Sequence, residues 1–462
     1  FLCKKGGTMD YKTLYEKTPP TKLFAIVTIP GIVSMLVSSL YQMIDGAFVG
    51  QLLGSDAFAA LNLVMPLVII NFSVADLIGV GSAVPIAIKL GEKDEKAAGN
   101  IFSSACLMII GAGILLGTVL FVFADDFVRL MGAGEELVSM ASQYLRVYAA
   151  CSPFTTIVFA VDNYLRICGK VRYSMIVNIL MSVGSAAFEF LFLFIFKFGI
   201  WGAALATCSG MFLCALIAIM PFIRGKLQLR FAKPKLSREV FAGILANGCP
   251  SFLNNIAGRV TSIIMNVFLL RLGRVTAVSA YGVLMYADGL IQPMLYGLCD
   301  SLQPAVGYNW GARNYDRIEA IEKRCFGTCG VLSILMTAVM LFSKADLVGI
   351  FIKAEDAATI SMSVHALSLF ALAYLTRWIS FATQSYLSAI GKAGYATIIS
   401  VSTAFIFPVI FLFALGAMGL DGLWLNLPLT SLTAAVMSAV ILLRFQKKNV
   451  PNGSSVTAKQ DD

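Results

Sequence analysis

YLRICGKVRY, residues 164–173, returns as YLSAIGKAGY at residues 386–395, a shared YLxxxGKxxY at an offset of 222. Three further pairs hold the same register to within two residues. GIWGAAL at 199–205 and GLDGLWL at 419–425 share GxxG at an offset of 220. Pro30 answers Pro250, and AFAALNLVM at 57–65 answers AVSAYGVLM at 277–285, both again 220 apart. Chance can supply one such match; four in one register argue for an internal duplication. Between the copies lies the longest basic loop, RGKLQLRFAKPKLSRE, residues 224–239.

What is duplicated is apolar. The chain is 58% hydrophobic and 13% charged, against about 45–50% and about 25% in a soluble domain. Stretches of about 20 apolar residues, the length that crosses a bilayer, recur at 23–48, 57–80, 99–123, 137–160, 174–196, 200–223, 241–270, 277–299, 325–343, 358–386, 396–415 and 420–443. The expected fold is therefore an all-α membrane protein of twelve transmembrane helices. They form two six-helix bundles related by a pseudo-twofold axis along the membrane normal. The expected organisation is an N-terminal tail (1–22), a first bundle (23–223), a linker (224–240), a second bundle (241–444) and a C-terminal tail (445–462). FLCKKGGT, residues 1–8, reads as an upstream remnant.

With both termini on one side, that side collects 26 of the 35 Lys and Arg residues, and the other side 6. This bias places both ends in the cytoplasm of a cell membrane. It also accounts for the net charge of +9 without nucleic acid. Even-numbered parallel repeats are a transporter signature, with substrate bound between the halves. The ten Cys hold no CxxC pair, most lie inside apolar runs, and they read as small helix side chains. A single His, no Walker loop and no nucleophile motif argue against an enzyme, a metal centre or a cofactor.

Charges inside the spans are the exception that needs a reason, because an acid at mid-bilayer costs at least ~2.5 kcal/mol. Asp45 ends a polar stripe on the first span, after Ser34, Ser38 and Gln42 at helical spacing. Glu189 ends another on the fifth span, after Asn178, Ser182 and Ser185. Thr207 lies near the start of the sixth. At ~1.5 Å per residue Asp45 is about 13 Å, Glu189 about 12 Å and Thr207 about 10 Å from the outer face. Three polar groups from three helices thus share a depth. Two carboxylates brought together there call for a proton or a cation, so Asp45, Glu189, Ser185 and Thr207 are candidates for binding a coupling ion, H+ or Na+. The duplicated positions are Met265 and Phe411, which confines ion coupling to the first half. Ser38, Gln42, Asn178, Ser182, Asp76, Asp288 and Gln292 are candidates for the substrate cavity. Asp288 has Arg259 or Arg377 as a partner, and Asp162 has Arg166 four residues on.

QPAVGYNWGARNYDR from Gln303 resembles the hallmark after the eighth helix of MATE (multidrug and toxic compound extrusion) antiporters. VPIAIKLGEKDEKAAG from Val84 resembles the loop after their second helix, and GIWGAALAT at Gly199 also fits. The resemblance covers about 20–445 and points to a MepA-like bacterial branch. It implies a first-helix Asp at Asp45, a fifth-helix polar pair at Ser185 and Glu189, and a sixth-helix Thr at Thr207. The family commonly has Asn and Asp where this chain has Ser185 and Glu189. The implied activity is export of small amphipathic, cationic drug-like compounds by a monomeric unit in exchange for H+ or Na+, through alternating access. A lipid-linked saccharide flippase of the same superfamily is the alternative, and a membrane-embedded enzyme a distant one.

Overall fold

A computed structural model describes residues 11–131, 134–352 and 357–449. The expected remnant at 1–8 and the tail beyond 449 lie outside the described residues. The long helices are α1 (Pro20–Leu53), α2 (Ser55–Gly91), α3 (Glu95–Val122), α4 (Glu135–Ala150), α5 (Ser152–Ile167), α6 (Val171–Glu189), α7 (Ile200–Ile223) and α8 (Arg238–Asp300). They continue with α9 (Tyr315–Phe342), α10 (Ala357–Ala371), α11 (Tyr374–Ala389), α12 (Ala393–Val401) and α13 (Leu420–Asn449). No strand occurs among the described residues. Hydrocarbon offers a backbone no partner, so a spanning segment must satisfy its own N–H and C=O groups, and the helix does this within one segment.

Nine helices among the described residues are long and apolar enough to cross a membrane. Two bent pairs, α4 with α5 at 57° and α10 with α11 at 49°, bring the number to eleven. The first bend falls just before Pro153, which cannot donate a helix hydrogen bond. The twelfth expected span, 277–299, is the second arm of α8. Straight, that 63-residue run would reach about 94 Å. Instead Asn254 Nδ2 comes to 3.4 Å from the Tyr296 hydroxyl, so the chain doubles back. Gly273 suits this reversal, since a Cβ there would stand 2.4 Å from that of Ala277. Large apolar side chains such as Leu115, Val331 and Phe413 stay exposed, a liability in water and the normal lipid-facing surface of a membrane protein.

The chain divides into two compact units, Phe1–Phe252 and Leu253–Asp462. In the first, small residues let helices close up. A Cβ on Gly248 of α8 would lie 1.8 Å from the Leu77 carbonyl oxygen of α2. The segment expected as a linker is laced along α3. The Ala232 N–H donates to Ser103 Oγ at 2.9 Å and the Lys235 N–H to Asn100 Oδ1 at 2.6 Å. Phe231 packs on Phe102 with ring centres 4.9 Å apart, and Leu227 and Leu229 are buried.

The duplication is visible in the backbone of each unit. After α5 and after α11, Gly169 and Gly391 adopt left-handed φ values of +75° and +72°. In both turns the glycine N–H bonds the carbonyl three residues back at 2.9 Å, and the following lysine N–H bonds the one five back at 2.9 Å. Lys93 and Arg313, 220 apart, repeat a left-handed turn at φ +65° and +58°. A side chain in this region costs about 1–2 kcal/mol, and at Gly169 a Cβ would also approach Tyr11 Cα to 3.1 Å. Gly169→Ala is therefore expected to lower stability by about 1–2 kcal/mol. Thermal unfolding of the detergent-solubilised protein measures this, and an unchanged midpoint contradicts it.

Candidate functional site

α6 packs against both α1 and α7, and that contact assembles the site. α1 contributes Asp45, α6 contributes Ser185 and Glu189, and α7 contributes Thr207. Glu189 is fully buried at 0% exposure and Ser185 is at 1%, while Asp45 and Thr207 are each at 9%. The carboxyl groups of Asp45 and Glu189 are near enough to act on each other directly. Among the described residues no donor reaches Asp45 Oδ1 or either oxygen of Glu189. Asp45, Glu189 and Thr207, named from helical depth, and Ser185, from the stripe on the fifth span, thus lie together.

Tyr41 completes the group and was not foreseen. Its hydroxyl stands 3.0 Å from Thr207 Oγ1, beside Ser185 and within the field of both carboxyls. The signal was present: Tyr41 precedes Asp45 by four residues, so it shares a helix face with it. Stepping back by three leads instead to Gln42, which is exposed. Gly210, one turn beyond Thr207, sets the spacing of the helices. A Cβ there would fall 2.0 Å from Ser185 Oγ and 2.9 Å from the Ser185 backbone nitrogen. Glu189 is also the last α-helical residue before a wider π-helical stretch, Phe190–Ile195. Such stretches recur at functional positions in helices.

The chemistry of the group is narrow. Two carboxyls facing each other away from water, without a donor between them, cannot both stay ionised unless a cation joins them. The surrounding hydroxyls of Tyr41, Ser185 and Thr207 add only oxygen. An all-oxygen set suits a proton or a hard cation and lacks the sulfur and imidazole that select transition metals.

The remaining candidates divide. Ser182 is buried and its Oγ is unpartnered; Ser38 and Asp76 are half-buried. Asn178 is half-buried and its amide donates to Asp162 Oδ1 at 2.9 Å. It belongs to a cluster in which Arg166 pairs with Asp162 at 2.7 Å, the local pair expected from the i,i+4 spacing. In the second unit Asp288 pairs with Arg377 at 2.7 Å and accepts from the Tyr374 hydroxyl. Gln292 donates to the Tyr296 hydroxyl at 2.8 Å. Cys299, Cys325 and Cys329 gather their sulfurs within 4.8 Å of one another, a grouping that sequence spacing did not announce.

A family model described as MatE matches residues 30–191 and 250–440. The multidrug export protein MepA of Staphylococcus aureus is 29% identical over 438 residues, covering 93% of this chain and 95% of that protein. Its namesake from Staphylococcus saprophyticus is 27% identical over 441 residues, with the same coverage. A solved multidrug resistance MATE family transporter of the MOP superfamily, in an outward-facing conformation, superposes with a TM-score of 0.89 at 21% identity. The superposition covers 96% of this chain and 100% of that one. A MOP superfamily transporter from Pyrococcus furiosus, described as having a binding pocket of reverse polarity, superposes with a TM-score of 0.88 at 22% identity. It covers 96% and 100% of the two chains.

Proposed function

The chain belongs to the MatE family, and from that premise we propose that it is a secondary antiporter exporting amphipathic, cationic organic compounds. Inward flow of H+ or Na+ drives the export by alternating access. The observation that carries this reading is the buried Asp45–Glu189 pair: among the described residues no donor reaches Asp45 Oδ1 or either Glu189 oxygen. In the proposed cycle the arriving cation neutralises the pair, with Tyr41, Ser185 and Thr207 supplying further oxygens. Its departure leaves like charges in a low-dielectric place, and that cost drives the site toward the next ion. Pro30, which removes one backbone hydrogen bond from α1, gives the helix a place to bend as the pair changes charge.

Ser38, Gln42, Ser182 and Asp76 are assigned to the path of the exported compound. The protein is a multi-pass membrane protein. We assign it to the cytoplasmic membrane as a monomeric unit with both termini inside, on the loop charge bias of 26 against 6. The family is one of transporters, and the chemistry needed is charge exchange rather than bond making.

The test is efflux of ethidium from proteoliposomes under an imposed pH gradient or an imposed sodium gradient. One of the two gradients is expected to drive ethidium against its own gradient, and an ionophore for that ion to abolish the effect. Accumulation that ignores both gradients removes the antiporter reading.

A further inference from the structure

Arg259 lies on α8, 21 residues after Arg238 and 14 before Gly273, the limits of its span. At ~1.5 Å per residue the nearer end is about 21 Å away. That is well beyond the reach of a side chain that snorkels to the interface. A guanidinium does not lose its charge in a protein, so Arg259 needs a partner at depth. Helical spacing groups it with Asn255, Ser262 and Asn266. The adjoining face, Val260, Ile263, Val267 and Leu270, is apolar and at least 39% exposed, as a lipid-facing stripe should be. Arg259 therefore sits at the edge of the polar stripe, where it meets that apolar face.

What surrounds it is poor in anions. The nearby ionisable groups are the phenols of Tyr281 and Tyr296. Among the described residues no carboxylate pairs with Arg259, and the acid on that side, Asp288, is already held by Arg377 and Tyr374. The Tyr296 hydroxyl accepts from Gln292 at 2.8 Å, so its acceptor capacity is also engaged. Arg259 is nevertheless exposed rather than packed away. An intramembrane arginine that is open and lacks a carboxylate of its own chain is an incomplete ion pair.

We propose that the missing half arrives with the transported molecule. Arg259 receives a carboxylate or sulfonate of an amphipathic compound, while the rings of Tyr281 and Tyr296 hold its apolar body. The planar guanidinium fork matches such groups in two parallel hydrogen bonds, and aromatic walls with one charged anchor are the usual make-up of a small-molecule pocket. This deepens the efflux reading and rests on it: Arg259 is the residue that selects, among exported compounds, those that carry an anionic group.

The experiment compares a rhodamine carrying a free carboxylate with its methyl ester, in proteoliposomes energised by the driving ion. Arg259→Gln is expected to lower export of the free acid at least ~10-fold more than export of the ester, and Arg259→Lys to fall between the two proteins. Equal losses for acid and ester, or no loss for either, overturn the assignment. Fluorescence titration of the purified protein with the free acid keeps the two readings apart. If the wild-type protein exports neither dye nor ethidium, the efflux reading fails. Arg259 is then judged by binding alone: an affinity at least ~10-fold weaker in Arg259→Gln supports the anion contact, and an unchanged affinity sinks it.

Discussion

Asp45→Asn is expected to abolish gradient-driven export, with a fall of at least ~100-fold, while the protein still inserts and folds. Asparagine keeps the volume and one acceptor oxygen but cannot change charge, so the pair can no longer take up and release a cation. The physical account makes a second demand. Burying two facing carboxyls without donors is destabilising, so removing one should leave the melting temperature equal or higher. Loss of function with retained stability is the mark of a site whose strain serves its task. The double variant Asp45→Asn with Glu189→Gln should be no worse than either single one, because groups that act as a unit lose their effect together. Efflux assays and melting curves on the purified variants decide the matter. Export within about 3-fold of wild type in Asp45→Asn would falsify the role given to the pair.

Gly210→Ala is expected to damage the same site without touching a charge. The added methyl has to share space with Ser185 Oγ at 2.0 Å and with the Ser185 backbone nitrogen at 2.9 Å. The hydroxyl can rotate; the backbone cannot, so α7 must move away from α6. Overpacking of this kind costs about 1–3 kcal/mol. The displacement also carries Thr207 away from Tyr41 and Ser185, and export should drop at least ~10-fold. Gly184 on α6 provides the control. It neighbours Ser185 in sequence, yet a Cβ there meets nothing within 4 Å, so Gly184→Ala should be neutral or gain about 0.5–1 kcal/mol of helix stability. If the two alanines behave alike, close approach of the helices is not what positions the site.

The span pattern was legible because a bilayer leaves the chain little choice: long apolar runs must be helices. The repeated YLxxxGKxxY was legible as a turn because its glycine meets a left-handed backbone, at Gly169 and again at Gly391. Asp45, Glu189 and Thr207 could be named because depth along a helix is a linear measure that sequence supplies directly, and Ser185 because it lies one turn before Glu189 on the same stripe. Rotation about the helix axis is harder to read. A step of three or four residues both look plausible from an acid, which is how Tyr41 was passed over for Gln42. Partner choice is harder still. Asn178 lay on the right stripe, but Asp162 on another helix takes its amide, and only the folded chain shows that Asp288 pairs with Arg377 rather than Arg259.

The strap between residues 224 and 237 shows that the seam of the repeat and the seam of the folded molecule do not coincide. The sequence copies meet inside the strap, yet its backbone amides are spent on Asn100 and Ser103, and compactness changes hands only at Phe252 and Leu253. An ancestral half excised at the genetic boundary would lose the ties that finish its own α3. The bridge between two copies has become property of the first, so the modern halves are no longer interchangeable modules.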